Sequence, residues 1–277
     1  MRVIGVITND QNRVFQRSVI AGIRTIAAEA NCEIVIDSRA DADSRRLQPD
    51  DADGFLVIAN VAQREFLEAA LRQRKPVSFI SHHMPDLPFP AVVFNNRQGI
   101  MELVRHISVE CRRNQIVFVR GISDQYDARQ REAAFKDALM RYHVPSSGMI
   151  AGEFDPEKAI QSLMNYINEG NRFSAVIASD YMMARALVDV LREMGYDVPG
   201  EITVVGFGDG IEAHAAGLTT VAADVQELGE RAARQLIHQL HGETIVGVTT
   251  LSVRLIVRDT SFAPQKTNFP SKGVKRR

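Results

Sequence analysis

Short apolar runs alternate with segments of helical hydrophobic spacing along most of this chain. A few consecutive apolar residues fit a buried strand, whereas apolar residues three and four positions apart fit one face of a helix. Buried strands that alternate with helices form parallel sheets through right-handed crossovers. The alternation therefore predicts an α/β fold, and it limits the possible folds more than any other feature of the sequence.

The alternation forms two series, which are separated by residues 81–90. That segment contains three prolines and cannot continue a helix or a central strand. The first series contains the strand-like runs up to residue 80, and the second extends from residue 116 to residue 207. After it, the pattern predicts a helix over residues 225–241 and one final strand through residues 248–257. Each series is long enough to form a sheet of its own.

The overall composition is ordinary for a globular protein and excludes several classes. With 33 Lys and Arg against 34 Asp and Glu, the net charge of −1 argues against binding a polyanion over the whole chain. No apolar run approaches the roughly 20 residues of a membrane span, and the N-terminal run is too short for a signal peptide. We therefore expect a cytoplasmic protein that does not associate with a membrane. Cys32 and Cys111 lack metal-ligand spacing, which favours buried free thiols.

The stretch from Val119 to Phe135 has the pattern of a strand end, a polar loop and the first turns of a helix. Asp124 and Asp127 are hydrogen-bond acceptors near the helix start, where negative charge is favoured. Arg131 follows among small residues. Alone, it fits a solvated helix face, but its forked donors would also suit a hydroxylated or anionic ligand.

Several short motifs follow one another in a specific order along the chain. They include Ile4-Gly-Val-Ile7, Ala52-Asp-Gly-Phe-Leu-Val57, Arg131-Glu-Ala-Ala-Phe135, Pro199-Gly-Glu-Ile-Thr-Val-Val-Gly-Phe207 and Val257-Arg-Asp-Thr260. In order and spacing they resemble the effector-binding core of the LacI/GalR family of transcription regulators, which is related to periplasmic sugar-binding proteins. The resemblance covers nearly the whole chain, from residue 3 to residue 260.

This resemblance implies a periplasmic-binding-protein-like fold of type I. Two Rossmann-like lobes, each a parallel sheet flanked by helices, would be joined by strand crossovers and would hold a small ligand between them. We assign residues 1–112 and 222–242 to the N-terminal lobe, and residues 113–221 and 243–262 to the C-terminal lobe. Residues 263–277, rich in Lys and Arg, are predicted to be a disordered basic tail.

The family implies a sensor core without catalytic residues or cofactors. A small-molecule effector, either sugar-like or an anionic metabolite, would close the lobes and act on an output or on a homodimer interface. The alternatives are a solute-binding protein of a transport system and a sensor module of a signalling protein. An enzyme is disfavoured because the sequence lacks a dinucleotide fingerprint, a phosphate-binding loop and a nucleophile elbow. Because no helix-turn-helix headpiece precedes the core, we expect no DNA binding by this chain as given.

Matching the family's motifs residue by residue predicts the ligand-binding positions. They lie after predicted strands or at helix starts, where the two lobes would face each other. The predicted ligand-binding residues are Asn9, Asp10, Phe15, Gln16, Ser81, His82, Asn95, Arg131, Phe154, Ser179, Asp180 and Asp209. Of these, Phe15 also fits a plain core position, and Asp180 fits a helix cap. The pair at residues 82 and 83 fits two exposed loop histidines better than a metal site.

Three departures from the family pattern bear on the ligand. Asn95 stands where the family commonly has Asp, Ser179 replaces a common Asn, and Gly208 replaces the first of two aspartates. These changes suggest a ligand that differs from a typical pyranose. They would also leave Arg131 with fewer carboxylate neighbours, which would suit an anionic ligand. Because Arg131 matches the family's ligand-contacting Arg, Arg131→Ala is expected to abolish ligand binding and leave the fold intact, whereas Arg129→Ala is expected to do little.

Overall fold

Parallel strands dominate the computed structural model, which describes residues 1–262. Within that range the strands form two sheets of six. In chain order the strands are β1 (Arg2–Thr8), β2 (Cys32–Ser38), β3 (Gly54–Ile58), β4 (Val77–Ile80), β5 (Ala91–Phe94), β6 (Gln115–Arg120), β7 (Ser146–Ala151), β8 (Ala175–Ala178), β9 (Thr203–Phe207), β10 (Thr219–Ala222), β11 (Val248–Leu251) and β12 (Arg254–Ile256). The N-terminal sheet has the order β11-β5-β4-β3-β1-β2, and the C-terminal sheet has the order β12-β10-β9-β8-β6-β7. The predicted α/β fold with two sheets is confirmed.

Helices cover both faces of each sheet, as the apolar strands require. The α-helices are α1 (Val14–Glu29), α2 (Arg64–Arg72), α3 (Asn96–Arg105), α4 (Tyr126–Arg141), α5 (Pro156–Asn168), α6 (Tyr181–Glu193), α7 (Ile211–Ala215) and α8 (Val225–Leu240). Every residue of β3, β4, β8 and β9 is buried. Strands buried on both faces are apolar throughout, which is why they appear in the sequence as continuous runs.

The chain enters the C-terminal lobe earlier than the predicted boundary at residue 112. Helix α3 packs on α4, β10 and β12 of the C-terminal lobe. Its Gly99 lies so close that an added Cβ would be 2.6 Å from the Phe207 ring and 2.9 Å from Val221. The chain therefore enters the C-terminal lobe directly after β5. A π-helical turn, His106–Glu110, follows α3 directly.

The predicted final strand over residues 248–257 is two strands in two different sheets. β11 pairs in parallel with β5 of the N-terminal sheet, whereas β12 pairs antiparallel with β10 of the C-terminal sheet. The assignment of residues 243–262 to the C-terminal lobe is thus wrong for β11. The chain crosses between the lobes at Ser252 and Val253. Together with the crossings after β5 and β10, this makes three connections between the lobes.

Two other predictions concern thiols and membranes. The structure has free thiols at Cys32, which is half-buried, and at Cys111, which is buried. No helix within residues 1–262 is long and apolar enough to cross a bilayer. The tail predicted at residues 263–277 lies outside the described residues.

Candidate functional site

A cleft of about 1870 Å³ lies between the two lobes. Residues that directly follow strands line it from both sheets, such as Asn9 after β1, Ser81 after β4 and Gly208 after β9. Residues at the three crossings line it as well, including Phe94, Ala223 and Val253. Ligands of open α/β sheets bind beyond the carboxyl ends of the strands, so this cleft is the candidate site.

Most of the predicted ligand-binding residues line this cleft. They come from both lobes, which brings together segments that are far apart in the sequence. The residues in question are Asn9, Phe15, Gln16, Ser81, Arg131, Phe154, Asp180 and Asp209. Phe15 also packs against the largest hydrophobic core, so it is both a core residue and a cleft-lining residue. Phe154 has a positive φ of 56° and its ring covers Gly121, where an added Cβ would lie 2.2 Å from Cζ.

Four predicted residues do not line the cleft, and each has a structural role instead. Asn95 caps α3 by accepting a hydrogen bond from the Gln98 amide at 3.0 Å. The Ser179 hydroxyl is buried and donates to the Val119 carbonyl at 2.7 Å. The Asp10 carboxylate accepts from the Asn12 amide at 2.9 Å in the turn before α1.

His82 is the fourth predicted residue that does not line the cleft. The prediction that it is an exposed loop histidine is wrong. Its side chain is only 5% exposed and packs edge-on against Phe79, with ring centroids 5.2 Å apart. Burial, followed by the positive charge of Arg129, lowers the pKa of His82 to about 4. The imidazole is therefore neutral at pH 7. Its neighbour His83 contacts Tyr126 of the opposite lobe, with ring centroids 6.4 Å apart.

Arg131 is a buried charged side chain of the cleft, with only 7% exposure. Its Nε donates to Asn96 Oδ1 at 2.8 Å, and one Nη donates to the Ser179 carbonyl at 2.6 Å. Its guanidinium carbon lies 3.8 Å from the centre of the Phe207 ring. Ser179 thus contributes to the site through its backbone rather than through its hydroxyl.

Carboxylates surround Arg131, contrary to the expectation of few such neighbours. The second Nη lies 3.8 Å from Asp127 Oδ2, and Asp127 also accepts from Asn96 at 2.7 Å. Burial lowers the pKa of Arg131, while the charges of Asp127 and Asp180 oppose that shift. A guanidinium nevertheless stays protonated in a protein. Because its charge is already balanced by these carboxylates, Arg131 does not by itself favour an anionic ligand.

Two further aspartates of the C-terminal wall are also engaged. Asp180 caps α6 through the Met183 amide at 2.7 Å, which confirms the capping role, and burial raises the pKa of its carboxyl. Asp209 binds Arg258 through both oxygens, at 2.7 and 2.9 Å, and this hydrogen bonding raises the pKa of Arg258. Arg258 belongs to the segment after β12, so the end of the described chain neutralises a carboxylate in the cleft.

Some residues of the site were not predicted from the sequence. Asn96 links Arg131 to Asp127, and only its position next to Asn95 could have indicated it. On the N-terminal wall the structure adds three arginines, Arg13, Arg17 and Arg39. Nothing in their local sequence distinguishes them from solvated arginines.

Three buried polar atoms that belong to cleft-lining residues have no hydrogen-bond partner within the described part of the chain. They are Gln16 Oε1, Ser81 Oγ and Arg39 Nε. A buried polar atom without a partner costs about 1–3 kcal/mol. These three residues therefore have hydrogen-bonding capacity that the described part of the chain leaves unused.

A hydrogen-bonded chain of Glu110, His106 and Ser261 has the order of a hydrolase triad. His106 contacts Glu110 through Nδ1 at 2.7 Å and Ser261 through Nε2 at 2.7 Å. The serine is fully buried, His106 is 2% exposed, and neither lines the cleft. A substrate therefore has no access to the serine, and the hydrogen bonds attach the segment that contains Ser261 to the π-helical turn. Within residues 1–262 no group of three or more potential ligands is arranged for a metal.

Comparisons with known proteins agree with this arrangement. The periplasmic binding protein-like domain family matches residues 107–261, which is more than half of the chain. The lactose operon repressor of Escherichia coli K12 is 27% identical over 64% of this chain and 49% of the repressor. The probable HTH-type transcriptional repressor ExuR of Bacillus subtilis 168 is 24% identical over 91% of this chain and 78% of ExuR. The match to the lactose operon repressor thus spans about half of that protein's length.

Solved structures share the fold. The lac repressor dimer bound to operator and the anti-inducer ONPF has a TM-score of 0.83 at 21% identity, covering 94% of each chain. A LacI family regulator from Enterococcus faecium with bound ribose has a TM-score of 0.83 at 22% identity, covering 96% of this chain and all of the other. These relatives are transcription regulators rather than enzymes. The chain belongs to the periplasmic binding protein-like domain family and corresponds to the effector-binding core of LacI/GalR-type regulators.

Proposed function

We propose that this chain senses a small molecule, a sugar or a related metabolite, in the cleft between its lobes. Closure of the lobes on the ligand would then act on an attached output domain or on a dimer interface. The observation that carries the proposal is the cleft itself, which both lobes and all three crossings line. A ligand there can contact both lobes at once, and its binding energy can favour the closed arrangement.

The cleft offers the groups that a sugar-like ligand needs. Phe15 on the N-terminal wall and Phe154 on the C-terminal wall present aromatic rings that suit the apolar face of a sugar. Gln16 and Ser81 also line the cleft, and Gln16 Oε1 and Ser81 Oγ have hydrogen-bonding capacity that no described residue uses. The relative with bound ribose supports this ligand class.

Calorimetry with neutral pentoses and hexoses, their phosphate esters and hexuronic acids tests the proposal. We expect at least one of them to bind and to reduce the radius of gyration in small-angle X-ray scattering. Phe15→Leu removes the aromatic face but keeps apolar volume, so it should weaken binding. Phe262→Leu, an exposed aromatic outside the cleft, is the matched control. Equal weakening in both variants, or binding without any compaction, would contradict the proposal.

We also propose that the chain forms a homodimer. The support comes from the lac repressor structure, which is a dimer with the same fold. Sedimentation equilibrium over a range of protein concentrations measures the mass directly. A mass that stays at 30.8 kDa at every concentration would refute the dimer.

A further inference from the structure

The two lobes also touch at a point that is not one of the three crossings. Tyr126, the first residue of α4 in the C-terminal lobe, packs against a hydrophobic core of the N-terminal lobe. The buried residues of that core all come from residues 7–93. Within residues 1–262, the other partly buried residues packed against it also belong to the N-terminal lobe. The ring of Tyr126 therefore joins the two lobes.

The N-terminal side of this contact is the loop that follows β4. The His83 ring lies edge-on to the Tyr126 ring, with centroids 6.4 Å apart. On either side of His83, His82 is buried and Met84 packs against the same core as Tyr126. Besides burial, the charge of Arg129 on α4 lowers the pKa of His82, so the C-terminal lobe also lies close to this residue.

The same loop is a firm support for the contact. Residues 85–90 contain three prolines, whose fixed φ angles leave the chain few alternative conformations. Asp86 lies 2.6 Å from Arg64 of α2, and Leu87 is buried in the N-terminal core. Ser81, directly after β4, has a positive φ of 54°, which a residue other than glycine keeps only where its surroundings fix it. The loop is thus attached to the N-terminal lobe and moves with it.

Residues next to this contact in the sequence line the cleft from both lobes. Ser81 precedes His82 and lines the cleft from the N-terminal lobe. Gln125 and Asp127 flank Tyr126 and line it from the C-terminal lobe. A ligand in the cleft and the contact between the lobes therefore act on the same two segments of the chain.

We propose that Tyr126 and residues 82–84 form a latch that holds the lobes together before a ligand binds. This proposal rests on the proposed function and specifies how the cleft is regulated. By stabilising the arrangement of the lobes seen here, the latch raises the fraction of molecules in which both walls can contact a ligand. The apparent affinity rises with that fraction, so the latch sets the affinity. An aromatic pair stabilises such a contact enough to change the fraction several-fold.

Small-angle X-ray scattering of the ligand-free full chain, at one fixed salt concentration, tests the latch. Tyr126→Ala removes the ring and should enlarge the radius of gyration, whereas Tyr126→Phe keeps the ring and should leave the radius unchanged. Tyr196→Ala is the matched control, because Tyr196 is also half-buried but packs on a core of its own lobe. Since His83 is the partner of Tyr126, adding His83→Ala to Tyr126→Ala should enlarge the radius no further. A wild-type radius in Tyr126→Ala, or an equal enlargement in Tyr196→Ala, overturns the proposal.

Calorimetry with ribose tests the link between the latch and the cleft. We expect Tyr126→Ala to bind ribose up to about fivefold more weakly than the wild type, and Tyr126→Phe and Tyr196→Ala to bind it as the wild type does. Equal ribose affinity of Tyr126→Ala and the wild type, despite a larger radius, overturns the role of the latch in binding and leaves the proposed function intact. If ribose and the other sugars and sugar derivatives proposed above all fail to bind, sensing is refuted, and the scattering measurement still decides whether the latch exists.

Discussion

Arg131 illustrates how one residue can serve the site and the fold together. It connects Asn96 of α3, Asp127 of α4 and the Ser179 carbonyl, and it packs on the Phe207 ring. These contacts lie within the C-terminal lobe because α3 belongs to that lobe. Arg131 therefore shapes one wall of the cleft, in addition to any bond it offers to a ligand.

Removal of Arg131 should destabilise the protein, contrary to the expectation of an intact fold. Arg131→Ala leaves Asp127 charged and without its cation, and it removes the donors to Asn96 and to the Ser179 carbonyl. Breaking a buried pair of this kind costs about 3 kcal/mol. Urea unfolding measures the loss, and Arg129→Ala, an exposed arginine on the same helix, is the control and should cost under about 0.5 kcal/mol. Equal stability of the two variants would show that the buried network contributes nothing.

His82 should make the stability of the protein depend on pH. Its folded pKa of about 4 lies below the unfolded value of 6.5, so the unfolded state binds more protons between these values. The free energy of unfolding should therefore fall as the pH falls from 6.5 towards 4. The groups that shift it besides burial are Arg129 and His83, which lower the pKa, and Asp124, which raises it.

Urea unfolding at about pH 7.5 and pH 5 measures this effect. His82→Gln should lose about 1 kcal/mol less stability over that interval than the wild type, after allowance for solvent screening. His241→Gln changes an exposed histidine and should keep the wild-type pH dependence. If His82→Gln and the wild type lose the same free energy, folding does not lower the pKa of His82.

At the scale of elements, α1 depends on close contact with α8. An added Cβ at Gly22 would lie 2.1 Å from the Gln226 carbonyl oxygen and 3.0 Å from the Glu230 amide nitrogen. Gly229 on α8 makes the reciprocal approach, 2.1 Å from the Val19 carbonyl oxygen. Since the neighbouring atoms are backbone, the helices must move apart to accept a side chain.

Gly22→Ala should therefore lower the free energy of unfolding by about 2 kcal/mol, because overpacking outweighs the gain of about 1 kcal/mol in helix propensity. Thr25→Ala lies on the exposed face of the same helix and should stay within about 0.5 kcal/mol of the wild type. Thermal and urea unfolding measure both variants. A Gly22→Ala protein as stable as Thr25→Ala would mean that α1 and α8 can separate at little cost.

The elements were predictable from the sequence because strand and helix periods are local properties. Lobe membership was not, since the apolar face of α3 would be buried equally well on either sheet, and its choice depends on the fit of Gly99 against Phe207. The division of residues 248–257 between two sheets is likewise a matter of tertiary pairing. The contacts of the site also depend on tertiary structure. Arg258, for example, binds Asp209, which lies 49 positions earlier in the sequence.

At the scale of the whole molecule, the opposite charges of the two cleft walls should attract the lobes. Three arginines and one acid, Asp224, line the N-terminal wall, whereas the C-terminal wall has six acids and two arginines. Burial raises the pKa of Asp180, and the charge of Arg13 on the opposite wall is among the influences that oppose this rise. Without ligand, closure should therefore depend on electrostatic attraction, which salt screens.

Small-angle scattering of the ligand-free protein at about 20 mM and about 500 mM NaCl tests this attraction, because the Debye length falls from about 20 Å to about 4 Å between them. We expect a smaller radius of gyration at low salt. The double variant Arg13→Gln/Arg17→Gln should lose most of this dependence, since it removes the N-terminal charges that face the cleft. Arg24→Gln/Arg72→Gln changes two exposed arginines of the same lobe outside the cleft and should retain it. If the wild-type radius of gyration is equal at both salt concentrations, packing at the three crossings sets the distance between the lobes, and charge attraction does not.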